Sequence, residues 1–491
     1  MPSVPSPHHS PSALCVALAA LALSACTAGP DYKRPPPPAG TDATAFKEAQ
    51  GWKAAAPGQV DALQPWWTWY GEEQLNQLVV QANKSNATLA LAASQVRQAQ
   101  ALVQNAQAAQ VPTLGVSAGG SRARSTSASG AAFEGDTHNW ALFSSWEADL
   151  WGRVSRTVEA SQASAQASAS DLAAAKLSVQ ASLVNSYLQL RMTDAQLALY
   201  ARTLQGYEKA FQLTQSQRRA GVATLSDVSL AETTLQAARA QSTELELTRK
   251  LLEHAIAVLL GKAPSEFALA PATGLADSQA KLPTLPGIPE VLPSTLLERR
   301  PDIAAAERRV AAANANIGVV EAAWYPKLSL SASAGNNGPH FGDWLAAPYR
   351  VWALGAQLAG TLFDGGLRTA QNQQAQAAFD GAAASYRQTV LAGFQEVEDN
   401  LAALNDLARE RTQQNAAVAA AKTAERVLLS QYRAGTLPYT SVITVQALTL
   451  ASERAALQLH SRQLTASVTL IKATGGGLPA TSSAPAASLS N

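Results

Sequence analysis

The sequence predicts a mainly α-helical protein with a small β part, built from one helix–β-hairpin–long helix–helix unit that occurs twice. Three observations predict this fold class. The 491-residue chain is 47% hydrophobic but only 6% aromatic and 15% charged, which is typical of long helices that bury small side chains and atypical of an α/β enzyme core. Two stretches of more than sixty residues contain no proline. A turn sequence also recurs 214 residues downstream.

The recurring turn shows that the chain is duplicated. Arg219-Ala220-Gly221 returns as Arg433-Ala434-Gly435. The same offset relates the pairs Leu89 and Ile303, Val96 and Val310, Pro112 and Pro326, Leu183 and Val397, Val228 and Val442, and Gly261 and Gly475. A register kept over this much chain indicates two copies of a fold of about 200 residues each.

The N-terminus carries the features of a lipoprotein signal peptide, residues 1–25. Residues 13–22 form an apolar run that is too short to span a bilayer and has the length of a signal h-region. It ends in Leu23-Ser24-Ala25-Cys26, and small residues before a lone cysteine resemble a bacterial lipobox. We therefore expect diacylglycerol and N-palmitoyl on Cys26; the alternative is ordinary cleavage after Ala25 with an incidental thiol.

The first repeat is predicted over residues 72–262, after an extended N-terminal segment over 26–71. A helix over 72–110 stops before Pro112, and strands over 113–122 and 139–146 follow, joined by a Gly/Ser-rich loop over 121–136. A helix over 152–218 carries Leu183, Leu190, Leu197, Leu204 and Phe211 at seven-residue spacing, which favours left-handed coiled-coil packing. A returning helix is predicted over 225–260.

The second repeat is predicted over residues 294–475. Residues 263–293 contain six prolines and are predicted to form a linker halfway along the helices, an equatorial position. The second repeat then has a helix over 294–324, strands over 327–335 and 349–361, a long helix over 367–432 and a return over 439–473. Residues 476–491 are predicted to be a disordered tail.

The four predicted strands require partners if they enter a membrane. Beyond the signal no stretch is apolar for 18 residues, so any membrane span must be made of strands. Because lipid tolerates no free strand edge, we expect a cyclic homotrimer whose twelve strands close into one transmembrane barrel. Six tryptophans lie in or beside the strand segments: Trp140, Trp146, Trp151, Trp324, Trp344 and Trp352. They suit a membrane interface, and the alternative is that they form the core of a soluble hairpin.

Several segments carry a resemblance to a known family. They are residues 26–32 (CTAGPDY), Trp66-Trp67, residues 145–153 (SWEADLWGR), Arg300-Pro301-Asp302-Ile303, residues 362–366 (LFDGG) and Glu396-Val397-Glu398-Asp399. With the duplicated plan, they resemble the outer-membrane factor family of TolC-like channels, and within it the OprM- and NodT-type efflux lipoproteins. The resemblance implies a homotrimeric α-barrel topped by a 12-stranded transmembrane β-barrel, anchored in the cell outer membrane and extending into the periplasm.

The resemblance also implies partners and site residues. Such ducts dock onto a periplasmic membrane-fusion adaptor and an inner-membrane pump, commonly of the resistance-nodulation-division class. The adaptor-contacting tips would be Arg219, Ala220, Gly221, Arg433, Ala434 and Gly435. The gate candidates are Arg218, Asp227, Tyr432 and Tyr439. Where many relatives carry acidic residues after the second turn, this chain has Ser441 and Thr444, so Asp227 alone could supply an acidic ring there.

The residues indicate transport rather than catalysis. Near-balanced charge, 37 basic against 36 acidic residues, argues against nucleic-acid binding. We recognise no catalytic constellation, metal-ligand spacing or cofactor motif, and Glu396, Glu398 and Asp399 are interpreted as a solvated helix face rather than a cation site. The function predicted is the outer-membrane channel of a tripartite efflux system for drugs or other small molecules. The alternatives are a type I protein secretion duct and a structural coiled-coil lipoprotein.

Overall fold

The computed structural model describes residues 27–36, 65–126, 128–130, 132–271, 282–286 and 300–476. Within these ranges the chain is mainly helical with one small sheet. The predicted signal peptide, Cys26, most of the proline-rich linker, the start of the helix predicted at 294 and the tail from 477 lie outside them. Across the described residues, none of the helices combines the length and apolarity needed to cross a membrane.

Seven α-helices occur in the described part of the chain. They are α1 Glu73–Ser85, α2 Ala87–Ala108, α3 Arg153–Arg219, α4 Leu225–Leu259, α5 Pro301–Glu321, α6 Leu367–Arg433 and α7 Tyr439–Ala473. The two long helices α3 and α6 each have 67 residues and are each followed by a 35-residue helix. The two halves of the chain therefore repeat the same order of elements.

The sheet has four antiparallel strands in the order β1-β2-β3-β4. They are β1 Thr113–Thr126, β2 Ala132–Ala148, β3 Lys327–Gly338 and β4 Arg350–Ala359. Hairpins join β1 to β2 and β3 to β4, while β2 pairs with β3 across the two repeats. Each repeat thus contributes one hairpin to a single sheet.

The helix predicted over residues 72–110 is interrupted at Asn86. This residue is buried and extended, with ψ of 126°, and separates α1 from α2. Its side-chain oxygen accepts a hydrogen bond from Leu89 N, which caps α2, and its amide nitrogen donates to Leu259 O at 2.8 Å. The prediction of one unbroken helix was wrong because an asparagine cap outweighs the helix-favouring residues around it.

The Gly/Ser-rich loop predicted over residues 121–136 is mostly strand. Ser121 pairs with Thr137, and the register continues to Thr126 opposite Ala132. Arg122 and Arg124 lie opposite Asp136 and Glu134 in this extension and form exposed ion pairs with them. Cross-strand pairing therefore extends the hairpin through a composition that favours loops.

The chain divides into two compact units. The first contains the sheet, the adjoining parts of α2, α3, α5 and α6, and the described N-terminal residues 27–36. The second contains the helices of the two Arg-Ala-Gly turns and the largest core, in which Trp66, Tyr70, Leu183, Leu190 and Ile256 are almost fully buried. The leucines at seven-residue spacing on α3 thus supply part of this core.

Candidate functional site

One face of the sheet is apolar over the part next to the helices, while its far end carries the ion pairs of Arg122 and Arg124. Side chains alternate between the two faces of a sheet, and paired residues on neighbouring strands share a face. One row across the four strands therefore consists of Val116, Leu142, Ala334 and Trp352. The same face carries Leu114, Trp140, Trp146, Leu328, Leu330, Leu354 and Leu358. Leu114 and Leu354 remain 77% and 76% exposed, so this face requires an apolar environment outside the described chain.

The opposite face carries mainly small and polar side chains. One row across this face consists of Ser117, Ala141, Gly335 and Val351. The same face also carries Ser329, Ser331, Ser333, Gly355 and Gln357. Phe143 is an exception, and its ring lies over Gly115. One face thus suits hydrocarbon and the other suits water.

The sheet has two outer strands. In the described sheet β1 pairs with β2 alone and β4 pairs with β3 alone. Each outer strand therefore presents one row of backbone groups without a ladder partner in the sheet, and these rows need partners wherever water is excluded.

Side chains at the strand–helix junctions connect the sheet to the long helices. Asp149 accepts hydrogen bonds from the N–H groups of Val154 and Ser155, which caps α3, and Arg153 makes a two-point ion pair with Glu147. In the second repeat Arg368 pairs with Asp364 at 2.5 Å. These contacts hold each helix start next to the strand that precedes it.

Aromatic rings cover the same junctions. Trp151 stacks on Tyr325 with ring centroids 4.7 Å apart, and the guanidinium of Arg368 lies over Trp324. Among the six tryptophans, Trp140 and Trp146 lie in β2 and Trp352 in β4, so the expectation that they lie in or beside strands is confirmed. The side chain of Trp344 is outside the described part.

The two Arg-Ala-Gly turns end their helices in the same way. Gly221 and Gly435 both have φ of 76°, which confirms the expectation that each supplies a positive φ. Val222 N–H donates to Gln217 O and Thr436 N–H to Gln431 O, the six-to-one hydrogen bond of a Schellman motif. The predicted tip residues Arg219, Ala220, Gly221, Arg433, Ala434 and Gly435 are all exposed.

Two exposed apolar residues at the first turn were missed by the sequence analysis. Val222 is 77% exposed and Leu225 is 60% exposed. The signal that could have found them is the occurrence of two large apolar residues within four positions after the turn glycine, where polar residues are usual. They give the first turn an apolar surface that accompanies its charged Arg218 and Arg219.

The gate candidates Tyr432 and Tyr439 lie together. Their ring centroids are 5.4 Å apart, and Tyr432 Oη donates to Gln217 Oε1 at 3.0 Å, which joins the end of α6 to the end of α3. We call the surrounding apolar set the turn cluster: Ala210, Phe211, Ala231, Leu429, Tyr432, Tyr439, Val442 and Ile443. Burial raises the pKa of Tyr439 to about 12, so its hydroxyl is protonated at neutral pH.

The other gate candidates differ from this pair. Asp227 forms a capping box with Thr224 at the start of α4, and the hydrogen bonds from Thr224 hold the pKa of its carboxyl below the usual value. Its carboxylate is therefore already bound within its own helix. Arg218 is exposed on the last turn of α3.

Arg300 is the centre of a cluster that the sequence analysis interpreted differently. This buried guanidinium pairs with Asp302 at 2.6 Å and Glu396 at 2.7 Å, and it donates to Ala473 O at the end of α7. The Glu396 side chain is 42% exposed, and its ion pair with this buried cation was not foreseen from the sequence. Asp399, in contrast, is exposed.

A second buried ionic cluster lies between α3 and α4. Asp194 accepts hydrogen bonds from Arg191 and Arg249, and these arginines also donate to the carbonyl oxygens of Ala270 and Leu269. The sequence analysis missed it, since nothing in the local sequence brings these residues together. Within the described residues no group of three or more His, Cys, Asp or Glu side chains is arranged to hold a metal ion.

Comparison with known proteins identifies relatives over most of the chain. The family model described as outer membrane efflux protein matches residues 78–262 and 292–476. The pyoverdine export outer membrane protein OpmQ of Pseudomonas aeruginosa is 31% identical, covering 87% of this chain and 90% of that protein. The toluene efflux pump outer membrane protein TtgC of Pseudomonas putida is 30% identical, covering 95% and 96%. The solved structure of the outer-membrane channel OprN matches with a TM-score of 0.84 at 30% identity, covering 92% of this chain and 99% of that one.

Proposed function

Because the chain belongs to the outer membrane efflux protein family, we propose that it is the outer-membrane duct of a tripartite efflux system. It is a transport protein of the outer membrane, as its relatives are, and not an enzyme. The duct passes drugs or other small molecules from the periplasm to the exterior. The observation that carries the proposal is the sheet, which combines an apolar face, a small polar face and two unpaired edges.

The sheet supports assembly into a homotrimer. In an up-and-down sheet of four strands β1 and β4 run in opposite directions, so β4 of one copy can pair antiparallel with β1 of the next. Three copies then give a closed barrel of twelve strands with no free edge. The apolar face meets lipid and the small polar face lines the lumen, where seryl and glycyl positions leave room for solutes.

Two further parts complete the proposed assembly. Cys26 carries diacylglycerol and N-palmitoyl and anchors each subunit. The exposed Arg-Ala-Gly turns are the tips that contact a periplasmic membrane-fusion adaptor, which joins the duct to an inner-membrane pump of the resistance-nodulation-division class. Val222 and Leu225 add apolar area to the first tip.

The turn cluster supports a gate at the tips. Tyr432 and Gln217 join the two helical hairpins of one subunit, so each subunit moves its α3–α4 and α6–α7 ends as one body. Adaptor contacts at the turns could thus displace both hairpins together. Asp227 contributes by fixing the start of α4 and does not act as a free carboxylate.

Purification and reconstitution test the proposal. We expect the lipid-modified chain to have the mass of three subunits in native mass spectrometry and to conduct ions in planar bilayers. Deleting its gene should increase sensitivity to small toxic compounds, and the plasmid-borne gene should restore resistance. A monomer without conductance would contradict the duct. Loss of secretion of a protein, with drug sensitivity unchanged, would instead identify a type I secretion duct.

A further inference from the structure

The two hairpins of the sheet have the same register. In β1–β2, Leu114 lies opposite Ser144. Moving both positions by the 214-residue offset of the duplication gives Leu328 opposite Leu358, which is the pair observed in β3–β4. The duplication therefore extends from the sequence to single cross-strand pairs, and the pairing of one repeat indicates the pairing of its counterpart.

The joint between the two repeats advances the register by four residues. Thr113 lies opposite Ser145, and Ser145 lies opposite Ser331 on β3. The repeat equivalent of Thr113 is Lys327, which precedes Ser331 by four positions. A constant advance of this kind is the stagger that a closed barrel requires. The β2–β3 joint thus provides the pattern for a joint to a further repeat.

We propose that β4 pairs with β1 of the next copy in the register that β2 makes with β3. Trp140 lies opposite Asn336. The 214-residue offset, added to the first position and subtracted from the second, gives Leu354 opposite Arg122 of the partner subunit. The proposal rests on the homotrimer of the proposed function and adds to it the residues that meet at the subunit boundary. Six joints of four residues each give the barrel a shear of 24 residues, which is twice the strand number and tilts the strands steeply.

The place where β4 ends supports this register. Its counterpart β2 continues to Ala148, and the last three residues of β2 pair with β3 alone, because β1 begins opposite Ser145. The repeat equivalents of these three residues are 360–362, which follow β4 directly and have no strand partner in the described sheet. In the proposed register they lie opposite residues 114–116 of the partner subunit. β4 therefore ends early because the strand that would hold its last three residues belongs to the next copy.

Two exposed leucines meet at this end of the joint. Ala148 lies opposite Leu328, and the same offset places Leu362 opposite Leu114 of the partner subunit. In the single chain Leu362 is 100% exposed and Leu114 is 77% exposed. Neighbouring apolar side chains on paired strands cover each other, so the joint removes apolar surface from water at a place where each copy exposes it.

An aromatic ring and a cation meet at the other end of the joint. His138 lies opposite Gly338, so the offset places Trp352 opposite Arg124 of the partner subunit. Trp352 is 76% exposed, and the Arg124 side chain is 68% exposed although it pairs with Glu134 at 3.4 Å. A guanidinium that lies over an indole ring is stabilised by a cation–π interaction. The joint thus brings an apolar pair together at one end and a cation–π pair together at the other.

Disulfide formation between copies tests the register. Ala353→Cys and Ala123→Cys place thiols at directly opposed positions of the proposed joint. Directly opposed residues have Cα atoms about 4.5–5.5 Å apart, which a disulfide spans, whereas diagonal neighbours are about 7–8 Å apart, which it does not span. The matched controls combine Ala353→Cys with Ser121→Cys or with Ser125→Cys, on the same face and two residues out of register. Within one copy two strands separate β1 from β4, so a disulfide joins two subunits.

The variants are assembled in outer membranes, oxidised with copper phenanthroline and separated on denaturing gels without reductant. We expect at least fivefold more disulfide-linked subunits with Ala353→Cys/Ala123→Cys than with either control. More product from a control pair would overturn the register, and so would trimers that form no disulfide with any of the pairs. A chain that is monomeric by native mass spectrometry would contradict the homotrimer itself, and with it the joint.

Hydrogen exchange in the unaltered chain provides a second measurement, which no substitution can disturb. In the trimer the peptide containing residues 360–362 should exchange at least tenfold more slowly than the exposed β1–β2 turn at residues 128–130. Equal exchange rates in these two peptides would overturn the extension of β4 to Leu362.

Discussion

At the scale of single residues, buried charges are held by contacts far apart in sequence. Arg300 joins the start of α5, the middle of α6 and the last carbonyl group of α7 through Asp302, Glu396 and Ala473. A Cβ on Gly393 would lie 3.3 Å from its Nε, so the guanidinium packs on the backbone of α6. The Arg300-Pro301-Asp302-Ile303 motif that contributed to the family resemblance is thus explained as a structural clamp.

Arg300→Met should destabilise the protein by about 2 kcal/mol, because it leaves Ala473 O and two carboxylates without their donor. This loss of stability is smaller than that expected for breaking a fully buried ion pair, since the Asp302 and Glu396 side chains are 40% and 42% exposed. Arg409→Met is the control: Arg409 pairs with Asp406 at 78% exposure, so we expect less than about 0.5 kcal/mol. Thermal unfolding in detergent measures both, and equal melting temperatures for the two variants would contradict the clamp.

His460 predicts a dependence of stability on pH. Its Nε2–H donates to Pro283 O at 2.9 Å, and burial, followed by nearby Arg411, lowers the pKa of the imidazole. The unfolded chain binds a proton at this imidazole near the ordinary pKa of about 6.5, whereas the folded protein binds it only at a lower pH. Protonation therefore favours the unfolded state, and the free energy of unfolding decreases as the pH falls below about 6.5.

His460→Gln keeps a donor for Pro283 O and removes the titration. We expect the melting temperature of the wild type to fall more between pH 7.5 and pH 5.5 than that of His460→Gln. His254→Gln, at an exposed position on α4, should show the same decrease in melting temperature as the wild type between these two pH values. If His460→Gln and the wild type lost the same stability on acidification, the assignment to His460 would be wrong.

At the scale of elements, the sequence predicts helix ends best where backbone chemistry is decisive. The ends of α3, α4, α6 and α7 were predicted to within one residue, since Gly221 and Gly435 end helices and long stretches without proline allow them to continue. The break at Asn86 could not be predicted in this way, because half of its reason is a hydrogen bond to Leu259, which lies in another helix. The ionic cluster of Asp194 with Arg191 and Arg249 could not be predicted either, because Arg249 lies in another helix.

The two turns differ in how the following helix begins. Thr224 and Asp227 cap α4, whereas Pro438 at the same position of the second repeat offers no side-chain hydrogen bond to α7. Buried Tyr439 in the turn cluster replaces that cap by packing. The second turn is therefore held mainly by its apolar contacts. Gly435 sets the direction of the chain that leads to these contacts, so the position of the turn depends on this glycine.

Gly435→Val should impair transport without preventing folding. Valine is strained at φ of 76°, by roughly 1–2 kcal/mol, so the turn and the Tyr439 that follows it should shift. We expect trimers to assemble, with drug resistance reduced at least fourfold in minimal inhibitory concentration. Gly381→Val, where the added side chain has open space, is the control. Full resistance in the Gly435→Val strain would contradict a role of this turn in the duct.

At the scale of the whole molecule, the arrangement of the sheet follows from alternation along each strand. Even-numbered positions of all four strands share one face and odd-numbered positions share the other, because the pairing runs without a bulge from β1 to β4. The even-numbered face is apolar except at the far end of the first hairpin, where the ion pairs of Arg122 and Arg124 lie. A shift of one residue in any pair would mix the two faces. In the proposed barrel, the register therefore determines which surface meets lipid and which lines the lumen.

Two neighbouring residues of β4 test this assignment. Leu354→Arg places a charge on the apolar face, where an arginine near the middle of a bilayer costs about 2–4 kcal/mol. Ala353→Arg places the same side chain on the opposite face of the same strand, which lines the lumen of the proposed barrel. Both positions are exposed in the single chain, so neither substitution disturbs a packed core.

We expect Leu354→Arg to lower the amount of heat-modifiable trimer in outer membranes at least tenfold. Ala353→Arg should assemble normally and reduce the single-channel conductance for cations, because its charge projects into the lumen. The reverse pattern would show that the faces are assigned the wrong way round. Normal assembly of both variants would show that the apolar face does not meet lipid, and the membrane-spanning role of the sheet would then be untenable.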